Sequence, residues 1–152
     1  TVSIAYTNSM GVCRKCGYTG LRHKAVSVFL LRGDAVLIQR RALGKYHTPG
    51  LWANTCCTHP HWDESPLDCA TRRLREELGI DTWASCLAPL TFASHSYDDF
   101  HLLMPLFACR KWEGSPQPKE NQALKWVRAR DLAHYPMPAA DVPLIPILRD
   151  WL

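Results

Sequence analysis

Residues 47 to 80 read HTPGLWANTCCTHPHWDESPLDCATRRLREELGI, and this stretch decides the fold because it marks both ends of a helix. Ser65 can cap the helix, Pro66 suits its first position, and Gly79 can provide a left-handed exit. The apolar residues fall on one stripe at helical spacing, namely Leu67, Ala70, Leu74 and Leu78. The pattern predicts a helix that packs one face against a core.

Another face of this helix carries charge, because Arg73, Glu76 and Glu77 lie together at helical spacing. Magnesium usually binds through one or two carboxylates together with substrate phosphates. Glu76 and Glu77 are therefore candidate ligands for Mg²⁺ or Mn²⁺. Taken alone, the run RRLREE is more typical of a solvated helix face stabilised by salt bridges.

The stretch resembles the Nudix box, which runs Gly, five residues, Glu, seven residues, Arg-Glu, an aliphatic, any residue, Glu-Glu, any residue, Gly and an aliphatic. The matching positions are Glu64, Arg72, Leu74, Glu76, Glu77, Gly79 and Ile80. Thr58 stands where the pattern has Gly, and Arg73 stands where it has the first Glu of the helix. In Nudix hydrolases that Glu is a metal ligand, so Arg73 argues against phosphoanhydride hydrolysis.

From residue 23 to residue 80 the chain is similar to type 1 isopentenyl diphosphate isomerase, a Nudix relative that does not hydrolyse its substrate. The similarity rests on Arg73 and on the Cys-x-His sequence before the helix. It implies that Cys57 is the catalytic cysteine and that Glu77 binds magnesium. A cysteine near cationic groups can exchange a proton with carbon, which is half of an allylic isomerisation.

The same similarity implies ligands for the substrate and for a second metal ion. Arg41, Lys45 and Arg73 would hold the diphosphate, because guanidinium groups bind phosphate oxygens bidentately and Lys adds a point charge. His23 and His59 would bind a metal ion, and neutral imidazoles suit one of transition type. On its own, His23 is more typical of a surface residue at the start of a strand.

One part of the isomerase pattern is missing from the chain. The isomerases carry a Glu-x-Glu, which supplies metal ligands and the partner acid or base, just before an apolar run with a proline. Here that run is MPLF at residues 104 to 107, and Phe100, His101 and Leu102 precede it. The isomerases also have a further N-terminal histidine, whose place is taken here by Cys16, a softer ligand.

Residues from about 87 to 152 resemble MutT-type nucleoside triphosphate pyrophosphohydrolases, through the runs LTFASHSYDDFHLLMPLFACRKWEG, KENQALKWV and YPMPAADVPLIPIL. The resemblance implies that Glu120 helps to bind metal or activate water, and that Asp141 reads the base. Glu120 is also typical of a solvated loop residue. Asp141, two residues before Pro143, is equally typical of an ordinary helix start.

The resemblance changes at about residues 81 to 87, which fits either a recombined origin or a divergent natural paralogue. Because both halves resemble one superfamily, we expect an α/β Nudix fold with a mixed sheet between helices. We also expect a divalent-metal-dependent enzyme that acts on a small diphosphate-containing molecule. An isopentenyl diphosphate isomerase-like activity is the first interpretation, a MutT-like hydrolase is the second, and a catalytically incomplete diphosphate binder is the third.

Length and composition agree with one domain over residues 1 to 152, in which residues 1 to 22 form an N-terminal extension. The net charge of +4 is modest and no long Lys/Arg block argues for a nucleic-acid polymer as partner. No apolar run reaches membrane-spanning length, and the first residues lack the pattern of a signal peptide. We therefore expect a cytoplasmic protein.

The seven cysteines are an odd number, so free thiols are favoured over a disulfide framework. Cys13 and Cys16 form half of a zinc knuckle, but a structural zinc needs four ligands. Cys56 and Cys57 are adjacent, so their side chains should point to opposite sides of a strand.

Strands are predicted at 24–31, 35–40, 51–57, 87–95, 101–111 and 123–128, with a hairpin through Gly33 and a C-terminal amphipathic helix.

Overall fold

A computed structural model describes residues 22–41, 50–61, 63–96 and 101–152 of the chain. Cys13, Cys16 and Lys45 lie outside the described residues, as does the predicted extension up to residue 21. The strands are β1 (Arg22–Lys24), β2 (Val26–Arg32), β3 (Ala35–Arg40), β4 (Trp52–Ala53), β5 (Cys56–Thr58), β6 (Leu87–Ser96), β7 (His101–Cys109) and β8 (Ala123–Arg128). The α-helices are α1 (Pro66–Leu78) and α2 (Leu144–Trp151), and 3-10 turns span Ala84–Cys86 and Ala129–His134.

The sheet is mixed, which confirms the predicted fold class. Its path is β1-β7-β2-β3-β4, with β5 paired to β2, β6 to β7 and β8 to β3. The pairs β1–β7 and β2–β7 are parallel, and the other pairs are antiparallel. The hairpin turn between β2 and β3 uses Gly33 at φ +60°, a conformation that glycine adopts without strain.

The single strand predicted over 51–57 is wrong, because the segment forms two short strands on different partners. β4 pairs with β3, whereas β5 pairs with β2. Thr55 lies between them, and its Oγ1 accepts a hydrogen bond from Leu30 N at 2.9 Å and donates one to Leu37 O. Buried Thr55 therefore bonds to both β2 and β3 at the point where the segment changes its partner strand. Such long-range contacts cannot be predicted from a local sequence pattern.

Helix α1 has the predicted ends. Ser65 Oγ accepts a hydrogen bond from Asp68 N at 3.1 Å, and Gly79 adopts φ +69° while its N–H donates to Arg75 O. These contacts satisfy backbone groups that a helix leaves unpaired at its termini.

Two buried clusters cover the two faces of the sheet, because successive side chains of β2 alternate between them. One cluster packs β2 against α1, and it includes Val28, Leu30, Leu74 and Leu78. The other packs β2 and β7 against α2, and it includes Phe29, Leu102, Met104, Leu144 and Leu148. We call these faces the α1 face and the α2 face. In the part of the chain that the structure describes, no helix has the length and apolar character needed to cross a membrane.

Candidate functional site

The guanidinium of Arg73 binds three carboxylates on the α1 face. Its Nη1 donates to Glu76 at 2.6 Å, and its Nη2 donates to Glu77 and, at 3.2 Å, to Glu120. The Glu77 side chain is only 6% exposed, whereas the Glu76 side chain is 45% exposed. Sequence-predicted residues from the helix and from a distant loop are thus brought together around one positive charge.

Burial dominates the electrostatics of this cluster. Desolvation raises the pKa of the Glu77 carboxyl, although the neighbouring Arg73 guanidinium opposes the shift. The Cys56 thiol lies against Glu77 and donates to it, and burial raises the pKa of that thiol well above its ordinary value. Glu76 is near solvent, and its hydrogen bond to Arg73 lowers its pKa. Glu77 therefore needs a cation beside it to stay charged in this buried position.

A buried glutamine holds the loop of Glu120 against the end of α1. Gln122 Nε2 donates to Glu77 O at 3.0 Å, and Gln122 Oε1 accepts from Glu120 N at 2.7 Å. Lys119 N also donates to Glu77 O at 3.0 Å, and Asn121 adopts a left-handed φ of 58° between the bonded residues. Sequence analysis missed Gln122, since no pattern distinguishes it from the polar loop around it.

The box residue Glu64 fastens the segment before α1 to the helix. Arg72 donates from Nε to Glu64 Oε2 at 2.7 Å and from Nη2 to Glu64 Oε1 at 2.9 Å. The hydrogen bonds from Arg72 lower the pKa of Glu64 to about 2. Glu64 thus anchors the start of the helix, and its charge is balanced without a metal ion.

The carboxylates around Arg73 supply the kind of oxygen that a hard divalent cation binds. Within the described ranges, no three Asp, Glu, His or Cys side chains stand grouped as ligands of a metal ion. The oxygens of Glu76, Glu77 and Glu120 are nevertheless the type that Mg²⁺ and Mn²⁺ prefer, and all three converge on Arg73. A cation could bind here once the Arg73 guanidinium turned away towards another anion.

The proposed second metal site rests on His59. Its ring is buried, and its Nδ1 lies 2.8 Å from Lys24 O, so Nδ1 donates to that carbonyl. The hydrogen bond leaves Nε2 as the nitrogen with a lone pair for a metal. His23 lies on β1 opposite Leu102, but its side chain is outside the described part of the structure.

Cys57 lies on the other side of the sheet from Cys56. The register pairs Cys57 with Ser27 and Cys56 with Val28, and Cys57 packs against the α2-face cluster while Cys56 belongs to the α1-face cluster. Cys57 Sγ lies 3.5 Å from Met104 Sδ. Strand β5 therefore presents the predicted catalytic cysteine to one face and supports the carboxylates on the other. Arg41 follows β3, where its N–H donates to Leu51 O at 3.2 Å.

A buried polar group lies on the α2 face beside Cys57. Asn54 Nδ2 contacts Ser27 Oγ at 2.5 Å and Asp141 Oδ1 at 3.4 Å, and all three residues are at most 1% exposed. Burial raises the pKa of the Asp141 carboxyl. Asn54 Oδ1 and Asp141 Oδ2 have no hydrogen-bond partner in the described structure. The Asp141 side chain does not cap α2. Its position near a helix start therefore does not explain why this carboxyl group is buried.

Of the two positions that correspond to the isomerase Glu-x-Glu, Phe100 lies outside the described residues and Leu102 is apolar. Leu102 is 0% exposed and packs within the α2-face cluster together with Met104. At this point of β7 the chain therefore has an apolar core side chain where the isomerases have an ionisable one.

Comparison with known proteins confirms the predicted resemblances. An "Isopentenyl-diphosphate Delta-isomerase" of Dinoroseobacter shibae is 85% identical over 61 residues, which cover 40% of this chain and 35% of that protein, about a third of its length. An isomerase of the same name from Cereibacter sphaeroides is 49% identical over 120 residues, which cover 75% of this chain and 68% of that protein. The second alignment is longer than residues 23–80, so isomerase likeness extends beyond the predicted segment. It lends no support to a recombined origin.

Solved structures resemble the fold at low sequence identity. A MutT Nudix hydrolase of Burkholderia pseudomallei superposes with a TM-score of 0.70 at 21% identity and covers 82% of this chain and 96% of that one. A MutT protein of Methanosarcina mazei gives a TM-score of 0.73 at 16% identity, over 86% of this chain and 94% of that one. The model of the NUDIX domain matches residues 21–148, nearly the whole described structure. The chain belongs to the Nudix family.

Proposed function

We propose that this protein is a divalent-metal-dependent enzyme that acts on a small diphosphate, and that its reaction resembles the conversion of isopentenyl to dimethylallyl diphosphate. The observation that carries the proposal is strand β5. Its Cys57 faces the α2 side, and its neighbour Cys56 lies against Glu77 and Arg73 on the α1 side. Strand β5 thus carries the candidate thiol on one face of the sheet and supports the cluster suited to a diphosphate and its cation on the other, so a substrate held by both would reach around this strand.

In this proposal the charged residues hold the substrate. Arg73 turns from its carboxylates to the diphosphate, and Arg41 and Lys45 add further positive charge. Glu77 and Glu76 would hold Mg²⁺ or Mn²⁺, which neutralises phosphate charge when it is bound. His59 and His23 would hold a second, transition-type ion.

The reacting end of the substrate lies against Cys57. Isomerisation moves one proton onto carbon and another off carbon, so it needs two acid–base groups. Cys57 is one of them, and the apolar surroundings of Met104 suit the hydrocarbon part of an isoprenoid.

The test is incubation with isopentenyl diphosphate and, separately, with a panel of nucleoside triphosphates, each with Mg²⁺ and with Mn²⁺. The proposal expects dimethylallyl diphosphate from the first and no released pyrophosphate from the second. Cys57→Ala should reduce isomerisation at least 100-fold, within the range of a lost acid–base group. Isomerisation retained by that variant would remove Cys57 from the mechanism.

A second candidate function is nucleoside triphosphate pyrophosphohydrolysis. The observation in its favour is Glu120, which reaches the cluster of Glu76 and Glu77 through Arg73, as the MutT resemblance implies. For this second function, Asp141 would recognise the nucleotide base. Arg73 argues against it, because a cation stands where hydrolases have a carboxylate ligand. Binding of diphosphates without turnover of either substrate would instead identify the catalytically incomplete binder.

A further inference from the structure

The proposed isomerisation lacks one of its two acid–base groups. Cys57 supplies one, but the strand position at which the isomerases carry a glutamate is Leu102 here, and it is fully buried in apolar packing. On the described part of β7, no carboxylate is present. A carboxyl group on another described element is therefore a candidate for the second role.

A carboxylic acid lies on the same face of the sheet as Cys57. Asp141 contacts Asn54 Nδ2 at 3.4 Å, and the same nitrogen contacts Ser27 Oγ at 2.5 Å. Ser27 is the residue directly opposite Cys57 in the β2–β5 pair. Directly opposite residues on one face have their Cβ atoms about 4.5–5.5 Å apart. Asn54 thus links Asp141 to Ser27, the residue that faces Cys57 across the strand pair.

The chemical state of Asp141 suits a proton donor. It is 1% exposed, and burial raises the pKa of its carboxyl, which favours the protonated form. Its Oδ2 has no hydrogen-bond partner among the described residues. A buried polar atom without a partner is rare in folded proteins, and one explanation is a functional role. A structural helix cap is excluded, since the side chain does not bond to the start of α2.

We propose that Asp141 is the second acid–base group of the isomerisation and acts opposite Cys57. This inference rests on the proposed function. Asp141 takes the place of the missing strand glutamate from a different element, the segment that precedes α2.

The double-bond electrons of isopentenyl diphosphate take the Asp141 proton, which forms a C–H bond at the terminal carbon and leaves a carboxylate and a tertiary cation. The Cys57 thiolate removes a proton from C2, and the electrons of that C–H bond form the new double bond. Exchange with water then returns a proton to Asp141 and removes one from Cys57. No oxidant or further reactant is required.

The experiment measures isomerisation and deuterium incorporation in D₂O with isopentenyl diphosphate and Mg²⁺. Asp141→Asn should lower kcat at least 100-fold with KM changed less than threefold, whereas Asp141→Glu should recover part of the rate. Asp150→Asn is the matched control, since Asp150 lies at the exposed end of α2. Circular dichroism would establish that each variant is folded.

Cys57→Ala separates the two proton transfers. With Asp141 intact, it should still exchange deuterium into the terminal carbon while forming no dimethylallyl product. Cys57→Ala combined with Asp141→Asn should exchange none. Isomerisation by folded Asp141→Asn within threefold of the unmodified protein would overturn the inference while leaving the proposed function intact. Absence of isomerisation in the unmodified protein would overturn both.

Discussion

Arg73 changes the charge balance of the box helix at the scale of a single residue. A carboxylate at this position would add to Glu76, Glu77 and Glu120 and demand a cation. The guanidinium instead supplies the cation from within the chain and binds all three. Because a buried pair is stable only when both charges are compensated, Arg73 can leave only when another cation replaces it. This arrangement is compatible with the proposed substrate, which would bind together with a metal ion.

Glu64 predicts how stability depends on pH. Its folded pKa is about 2, below the ordinary value of 4.5, because Arg72 hydrogen bonds to the charged form. A group whose pKa is depressed by folding stabilises the protein fully above its unfolded pKa, and this stabilisation is lost as pH falls through the folded pKa. We expect the contribution of Glu64 to disappear between about pH 4.5 and pH 2.

Urea unfolding at several pH values checks this expectation. Glu64→Gln should be less stable than the unmodified protein at neutral pH, and the difference should shrink on acidification through that window. Glu113→Gln is a suitable control, since Glu113 is exposed. A difference that stays constant from neutral pH down to pH 2 would show that the charge of Glu64 does not contribute.

At the scale of elements, the loop before β8 depends on Gln122. Its amide bonds both Glu120 N and Glu77 O. Gln122→Ala leaves a backbone donor of the loop without its partner, and such losses reduce stability by about 1–3 kcal/mol. Urea unfolding should show this loss. Gln117→Ala is the matched control in the same loop, because its side chain is exposed and only its backbone N bonds to Leu78 O. An equal loss in both variants would contradict the role of the Gln122 amide.

Helices and strands whose ends are set by neighbouring residues in the chain could be predicted from sequence. Those whose ends depend on contacts with distant strands could not. Ser65 and Gly79 act within one turn of the helix that they end, so α1 was predictable. The split between β4 and β5 depends on Thr55 reaching Leu37, which lies in another strand. That Cys56 and Cys57 point to opposite faces of the sheet was predictable, because they are neighbours in one strand. Which of the two faces holds the carboxylates was not predictable, because it depends on where α1 packs.

At the scale of the whole molecule, the candidate site is divided between the two faces of one sheet. Family likeness could propose Cys57, Glu77 and Glu120 as site residues because each belongs to a recognisable local run. It could not place Asn54 next to Asp141, since 87 positions separate them in the chain. Contacts at this separation are set by the packing of α2 on the sheet, and a sequence pattern carries no direct signal for them.

Ligand binding should stabilise the whole fold, because the cluster joins α1 to the loop before β8. A ligand that binds only the folded state at 100 times its Kd adds about 2.7 kcal/mol. For a domain of this size that corresponds to a rise in Tm of roughly 5–10 °C. We expect this rise with inorganic pyrophosphate and excess Mn²⁺ together, measured by differential scanning calorimetry. Glu77→Gln should reduce it to below about 2 °C, since the variant lacks the buried carboxylate charge that holds the cation. Glu113→Gln should keep the full rise, and a full rise in Glu77→Gln would remove Glu77 from the proposed cation site.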